Sequence, residues 1–273
     1  MSAPLAVLLN AQHSADWPLD RGLHYGDGLF ETIGVRDGRL RFEALHRARL
    51  AQGCSRLAIE VDQDDVWRQA QAVAAQHPSC TLKLLVSRGS ATTRGYAPTG
   101  AEQPRVLLLA YAADSGPQAP PRVCVATLRS VLGENPQLAG IKHCNRLEQV
   151  LARMELRSHG GAFEGLLASS CGHLISGTMS NVFLEQDGVL MTPQLERCGI
   201  AGVMRAVVLR EAAAAGLAVR VTDMPVSVLQ GCDSLFLTNA RLGVLPVHEL
   251  DGRELAVSAA AQALAQRVST LER

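Results

Sequence analysis

The sequence predicts a mixed α/β (α+β) chain in two domains, and three observations carry that expectation. Short β-like runs alternate with amphipathic helical runs along the whole length. A stretch rich in proline, DSGPQAPP at 114–121, interrupts this pattern, and its prolines exclude a sheet centre. No G-x-G-x-x-G opens a helix after a strand, so a dinucleotide-binding βαβ unit is not expected. The domains are placed at 1–113 and 122–273, with 114–121 as the linker between them. At 273 residues and 47% hydrophobic composition, the chain is long and apolar enough to bury a sizeable core.

The elements follow in order. PLAVLL (4–9) reads as a strand, and VRDGRL (35–40) carries Asp-Gly at its centre, the signature of a hairpin turn. EALHRARLAQG (43–53) has Leu45, Ala48 and Leu50 at helical spacing, and a second amphipathic run covers 62–76. TLKLLVSRG (81–89) and RVLLLAYAA (105–113) read as strands, as does RVCVATL (122–128). A helix is expected from about Asn145, with Leu147, Val150, Leu151, Met154 and Leu156 as its apolar stripe and His159-Gly160 as its end. Strands follow at 164–169, 180–186 and 188–191, a helix at 202–215, strands near 217–222, 233–238 and 244–248, and a last helix at 256–271.

Lys+Arg and Asp+Glu both number 26, so the chain carries no formal net charge. That argues against a general nucleic-acid or anionic-membrane binder. No apolar run approaches the ~18 residues of a membrane span. The N-terminal apolar stretch has no basic region before it, so no signal peptide is expected and a cytoplasmic location is. Seven scattered cysteines, with no C-x-x-C, read as reduced thiols rather than metal ligands. No H-E-x-x-H or G-x-S-x-G is present to suggest a hydrolase.

Only Lys83 and Lys142 are lysines; the other 24 basic residues are arginines. Chemistry that needs a neutralisable amine therefore has two candidates. Lys142 stands between an apolar turn and a helix start, where helix-end potential and partial burial would favour the neutral amine. Lys83 alternates with apolar residues and reads as part of a solvated strand face. GIAGVMR (199–205) runs a glycine-punctuated loop into an apolar helix, a ready anion site of free backbone N–H groups. Arg49, in HRARL, is a residue type able to grip phosphate with two N–H bonds. LTNARLGVLPV (237–247) ends a strand in small polar residues. YGDGLFET (25–32) reads as a glycine-bracketed loop. SRGSATTRGYAPTG (87–100) is a long polar loop whose Arg94 and Tyr96 would suit a ligand bearing carboxylates.

In this order, YGDGLFET, HRARL, LKLLVSRGS with RGY, NPQLAGIKHCNRLEQVLAR, GTMSNVFL, GIAGVMR and LTNARLGVLPV resemble the segments of the fold type IV pyridoxal-phosphate enzymes. That group holds the branched-chain and D-amino-acid aminotransferases. The resemblance covers nearly the whole chain, and its most specific part is the GIKHxNRLEQVLAR run. This run resembles the lyase branch of the family; the aminotransferases usually carry a tyrosine five residues after the lysine, where this chain has Leu147.

The resemblance implies a smaller N-terminal and a larger C-terminal domain with pyridoxal 5′-phosphate between them, in a homodimer. It implies a lyase that converts 4-amino-4-deoxychorismate to 4-aminobenzoate and pyruvate. Lys142 would be the Schiff-base lysine and the proton-transfer group. Arg49, the backbone of Val203 and Met204, and Asn239 with Ala240 would hold the cofactor phosphate. Arg94, Tyr96 and Arg241 would meet the substrate. One position departs from the family: the glutamate usually found five residues before the asparagine of S-N-V-F, where it pairs with the pyridine nitrogen, is Ser176 here. A hydroxyl offers only a neutral hydrogen bond, which weakens the ring as an electron sink. That disfavours transamination more than a lyase step driven by formation of an aromatic ring. The alternatives are a D-amino-acid or branched-chain aminotransferase, and a non-catalytic ligand-binding protein of the same fold.

Overall fold

The computed structural model describes residues 3–9, 18–90, 94–114, 118–120 and 122–271, and the chain divides into two units. Met1–Gly116 with Ile141–Asn145 form the first; Pro117–Gly140 with Arg146–Arg273 form the second. Residues 115–117 and 121 of the stretch read as a linker, and 91–93 of the long polar loop, lie outside the described residues. The sequence places the segment 141–145 in the C-terminal domain. It joins the first unit instead, because its backbone is hydrogen-bonded to a strand there.

The first unit contains β1 (Ala6–Leu9), α1 (Arg21–Tyr25), β2 (Gly28–Arg36), β3 (Arg39–Leu40), α2 (Glu43–Leu57), α3 (Gln63–Gln76), β4 (Ser79–Ser87) and β5 (Arg105–Ala112). Its sheet is antiparallel throughout, in the order β1-β5-β4-β2-β3. Alternation buries Leu29, Glu31, Ile33 and Val35 on one face of β2, where α2 packs. Gly53 of α2 lies so close to that face that a Cβ there would meet the Leu29 side chain at 2.7 Å. The β2–β3 turn is Asp37-Gly38, both with positive φ (50° and 71°), as a two-residue hairpin requires. Asp62 caps α3 by accepting the Asp65 N–H at 3.0 Å, and Val66, Trp67, Ala70, Val73 and Ala74 form its buried stripe.

YGDGLFET is not a loop. It is the last residue of α1, a two-residue connection and the start of β2. Gly26 and Asp27 make the turn, and period-2 burial takes over at Leu29. Gly26 has φ +65°, and a Cβ on it would meet Asn145 Oδ1 at 2.4 Å, so both conformation and space demand glycine.

The second unit contains β6 (Cys124–Leu132), α4 (Leu147–Leu156), β7 (Glu164–Ser169), β8 (Leu174–Gly177), β9 (Asn181–Gln186), β10 (Val189–Pro193), α5 (Val203–Ala214), β11 (Val219–Thr222), β12 (Ser234–Asn239), β13 (Gly243–Pro246), β14 (Glu249–Leu250), β15 (Arg253–Glu254) and α6 (Ala259–Leu271). Two five-stranded sheets result, β11-β10-β9-β12-β13 and β15-β14-β6-β7-β8. Their core gathers Val125, Leu166, Leu174, Val182, Leu184, Leu235, Leu237 and Val247. β8 carries no period-2 signal in the sequence, because all four of its residues are buried and so do not alternate. The β14–β15 hairpin carries none either, because each strand has two residues.

The apolar stripe expected on α4 is corrected. Leu147 (77% exposed), Val150 (51%), Leu151 (59%) and Met154 (61%) face outward, while Ala152 and Leu156 are buried. The helix begins at Leu147 rather than Asn145. All seven cysteines are free thiols, and burial raises those of Cys54, Cys80 and Cys198 above the ordinary thiol range.

Candidate active site

Lys142 lies in an extended segment laid along the start of β2. The Phe30 N–H donates to the Lys142 carbonyl at 3.0 Å, and the Cys144 N–H donates to the Gly28 carbonyl at 2.9 Å. Asn145 Nδ2 donates to the Gly26 carbonyl at 3.1 Å. These bonds, rather than the helix end expected from the sequence, fix the lysine. Its Nζ stands 4.4 Å from the centre of the Phe30 ring.

Lys83 shares that ring, with its Nζ 5.5 Å from the centre. The solvated strand face read for it is therefore corrected. β4 pairs Lys83 with Thr32, two residues from Phe30 and on the same face, so the chain's two lysines converge. A strand-pairing argument between LFET and LKLL is the signal that would have found it.

On the opposite face of β2, Glu31 is buried between two residues of α2. Arg49 donates through Nε to Oε1 at 2.8 Å and through Nη2 to Oε2. His46 Nδ1 donates to Oε2 at 2.6 Å. Burial alone would raise the Glu31 carboxyl, but the charge and hydrogen bonds of Arg49, with His46, bring it down to about 2. Burial lowers His46 below 6.5 despite Glu31, helped by the charges of Arg49 and Lys142. The imidazole is thus neutral at pH 7. The Arg49 guanidinium, expected to meet a phosphate, is engaged by a carboxylate within its own unit.

A pH dependence follows from the sign of these shifts. The unfolded chain takes up a proton at His46 near pH 6.5 and the folded chain does not, so acidification below 6.5 destabilises the fold. Glu31 adds a further loss as pH falls from 4.5 toward 2. The melting temperature is expected to fall between pH 7 and pH 5, and His46→Gln to flatten that fall, by about 2–4 °C per kcal/mol of linkage. Scanning calorimetry at both pH values checks this. Parallel pH profiles for parent and variant would contradict it.

The second unit assembles the anion-binding features. Gly202 precedes α5 with φ −67° and ψ 139°, and among the described residues no side chain caps the helix. Val203 and Met204 are the first two residues of the helix, where backbone N–H groups have no acceptor within the helix. The loop before it is pinned twice. Gly140 and the 199–201 loop exchange two backbone bonds of 2.9 Å, and Asn181 Nδ2 donates to the Ile200 carbonyl at 2.9 Å. Asn239 Nδ2 donates to the Met179 carbonyl at 2.7 Å, while its Oδ1 accepts the Arg241 N–H at 2.9 Å. Its side chain thus shapes the 239–241 turn. Beside it, the Thr238 hydroxyl is buried with no hydrogen-bond partner among the described residues.

Ser176 is buried on β8. Of the residues assigned to the substrate, Arg94 and Tyr96 are exposed, Tyr96 by 84%. Arg21 holds their loop through the Gly95 and Tyr96 carbonyls. Arg241 is partly buried, which lowers its guanidinium from the ordinary value. Arg88 of the same long loop is occupied by Asp27 and by the Leu57 and Ala58 carbonyls.

The comparisons with known proteins agree on one family. The model of the class IV amino-transferases matches residues 28–250. An aminodeoxychorismate lyase of Vibrio harveyi is 34% identical over 238 residues, covering 86% of this chain and 87% of that protein. The crystal structure of 4-amino-4-deoxychorismate lyase from Pseudomonas aeruginosa superposes with a TM-score of 0.90 at 38% identity, covering 97% of this chain and 98% of that one. A D-alanine aminotransferase of Bacillus licheniformis is 25% identical, covering 86% of this chain and 83% of that protein. Enzymes of this group depend on pyridoxal 5′-phosphate, and fold type IV describes both units. With most of its length matched, the chain belongs to the class IV aminotransferase family.

Proposed function

We propose that this chain is a pyridoxal 5′-phosphate-dependent lyase that converts 4-amino-4-deoxychorismate to 4-aminobenzoate and pyruvate, a step towards folate. The observation that carries the reading is Lys142: one of two lysines, locked by backbone bonds to β2 with its amine over Phe30. The lyases of Vibrio harveyi and Pseudomonas aeruginosa support the choice of reaction.

The residues present fit the cofactor. A phosphate dianion suits the uncapped α5 N-terminus at Val203 and Met204 and the backbone of Asn239 and Ala240, and Thr238 supplies a hydroxyl in want of a partner. An aldehyde suits Lys142. A pyridine nitrogen suits the Ser176 hydroxyl. When bound, the cofactor supplies a sink for the electrons released at the substrate carbon. Lys142 Nζ takes the proton from the amine-bearing carbon. The ring carbon–oxygen bond breaks, the ring becomes aromatic, and the enolate leaves. Lys142, or a water it activates, returns a proton to that enolate to give pyruvate. Ser176 would offer the ring nitrogen a neutral hydrogen bond, enough where aromatisation assists.

The substrate carries two carboxylates, and Arg94 and Arg241 are the cations assigned to them, with Tyr96 beside Arg94; Lys83, over the same ring as Lys142, is a further cation for them. Arg94→Ala is expected to raise KM about tenfold or more with cofactor affinity unchanged. Unchanged steady-state kinetics would remove Arg94 from the site.

The outward apolar face of α4 supports a homodimer through that helix. Light scattering is expected to give the mass of two chains, and Val150→Glu with Leu151→Glu to give one. A monomeric parent would contradict this. Seven free cysteines fit a reducing, cytoplasmic location, and zero net charge fits a protein with no nucleic-acid or membrane partner.

The reaction itself is tested by incubating the protein, pyridoxal phosphate and 4-amino-4-deoxychorismate without any 2-oxo acid. Pyruvate and 4-aminobenzoate in equal amounts are expected. A requirement for a 2-oxo acid would instead support an aminotransferase.

A further inference from the structure

Glu164 has no role in the scheme above, yet it is a carboxylate with 0% exposure. It opens β7 and is surrounded by donors. Oε1 accepts the Gly165 N–H at 2.9 Å, the Thr178 N–H at 3.1 Å and the Thr178 hydroxyl. Oε2 accepts the Met179 N–H at 3.1 Å and the Ser180 hydroxyl at 2.9 Å. Arg153 Nη1 lies 3.5 Å from Oε1 and supplies the counter-charge. A Cβ on Gly177 would meet Oε2 at 2.8 Å, so the turn is wrapped closely around the carboxylate.

That turn connects the parts of the anion site. It leads from Ser176 at one end to Asn181 at the other, and Asn181 holds the Ile200 carbonyl in the loop before α5. In its middle, the Met179 carbonyl receives Asn239 Nδ2, which anchors the 239–241 turn. Hence the carboxylate, the α5 N-terminus and the 239–241 turn form one hydrogen-bonded chain within the second unit. Both of its oxygens are spent on the turn, so it does not supply the acid missing at Ser176.

We propose that Glu164 is the positioning residue of the phosphate cup. Through the 178–180 turn it sets the spacing between the α5 N-terminus and the 239–241 turn. The proposal rests on the cofactor reading above. Five donors converge on two oxygens, which only a carboxylate satisfies; a glutamine would turn an NH2 group toward two of them. The loss should fall on the phosphate and spare the aldehyde, which the cofactor reading gives to Lys142.

The test is a spectrophotometric titration of the full chain with pyridoxal phosphate and with pyridoxal. The parent is expected to prefer the phosphorylated form. Glu164→Gln is expected to reduce that preference about tenfold or more, with pyridoxal affinity within about twofold. Ser180→Ala, which removes one bond to Oε2, is expected to reduce it less, and it keeps the test open if the glutamine variant does not fold. A preference unchanged in both variants, or both ligands weakened equally, would overturn the proposal. A parent that binds neither ligand would overturn the cofactor reading, and this proposal with it.

Discussion

Lys142→Ala is expected to lower kcat by about a thousandfold or more while leaving the fold intact. The bonds that hold residue 142 to β2 are made by backbone atoms, so alanine keeps them and loses only the amine. No other residue type at the site both binds an aldehyde and carries a proton. Lys83 is the internal control, because its amine faces the same ring from β4. Lys83→Ala is expected to raise KM and keep most of kcat. Steady-state assays of pyruvate release, with circular dichroism to verify folding, distinguish the two. A Lys142→Ala enzyme within about tenfold of the parent would contradict the assignment.

Glu31→Ala is expected to cost about 3–5 kcal/mol of stability. The carboxylate is buried and takes two bonds from Arg49 and one from His46. Removing it leaves a guanidinium, itself mostly buried, without its carboxylate. Adding Arg49→Leu to Glu31→Ala should recover part of the loss, because the stranded charge goes too. Urea denaturation of the three variants measures this. A cost below about 1 kcal/mol for Glu31→Ala would mean that water reaches the pair.

Much of the fold was legible because its elements follow local rules. The Asp37-Gly38 turn, the apolar spacing of α3 and the alternation in β4 are each written within a few residues. What was not legible depends on contacts between distant segments. The scarcity of lysine pointed to Lys142, but its ladder with β2 joins residues more than a hundred positions apart. The same distance hid its membership in the first unit. The helical period of α4 was visible, yet amphipathicity does not say which face is covered, and the stripe taken for core is outward. Glu31 and Glu164 were passed over because a carboxylate in a strand reads as exposed until its donors are known. Those donors come from α2 in one case and from the 178–180 turn in the other. Ser176 stood out from the sequence alone, since its departure from a family pattern needs no structure to see.

The most direct test of the central claim, that Lys142 is the reactive amine of a pyridoxal-phosphate enzyme, is borohydride reduction of the protein loaded with the cofactor, followed by peptide mapping. The account predicts one stable pyridoxyl label, on Lys142. A label on Lys83 alone, or none on folded protein, would contradict it.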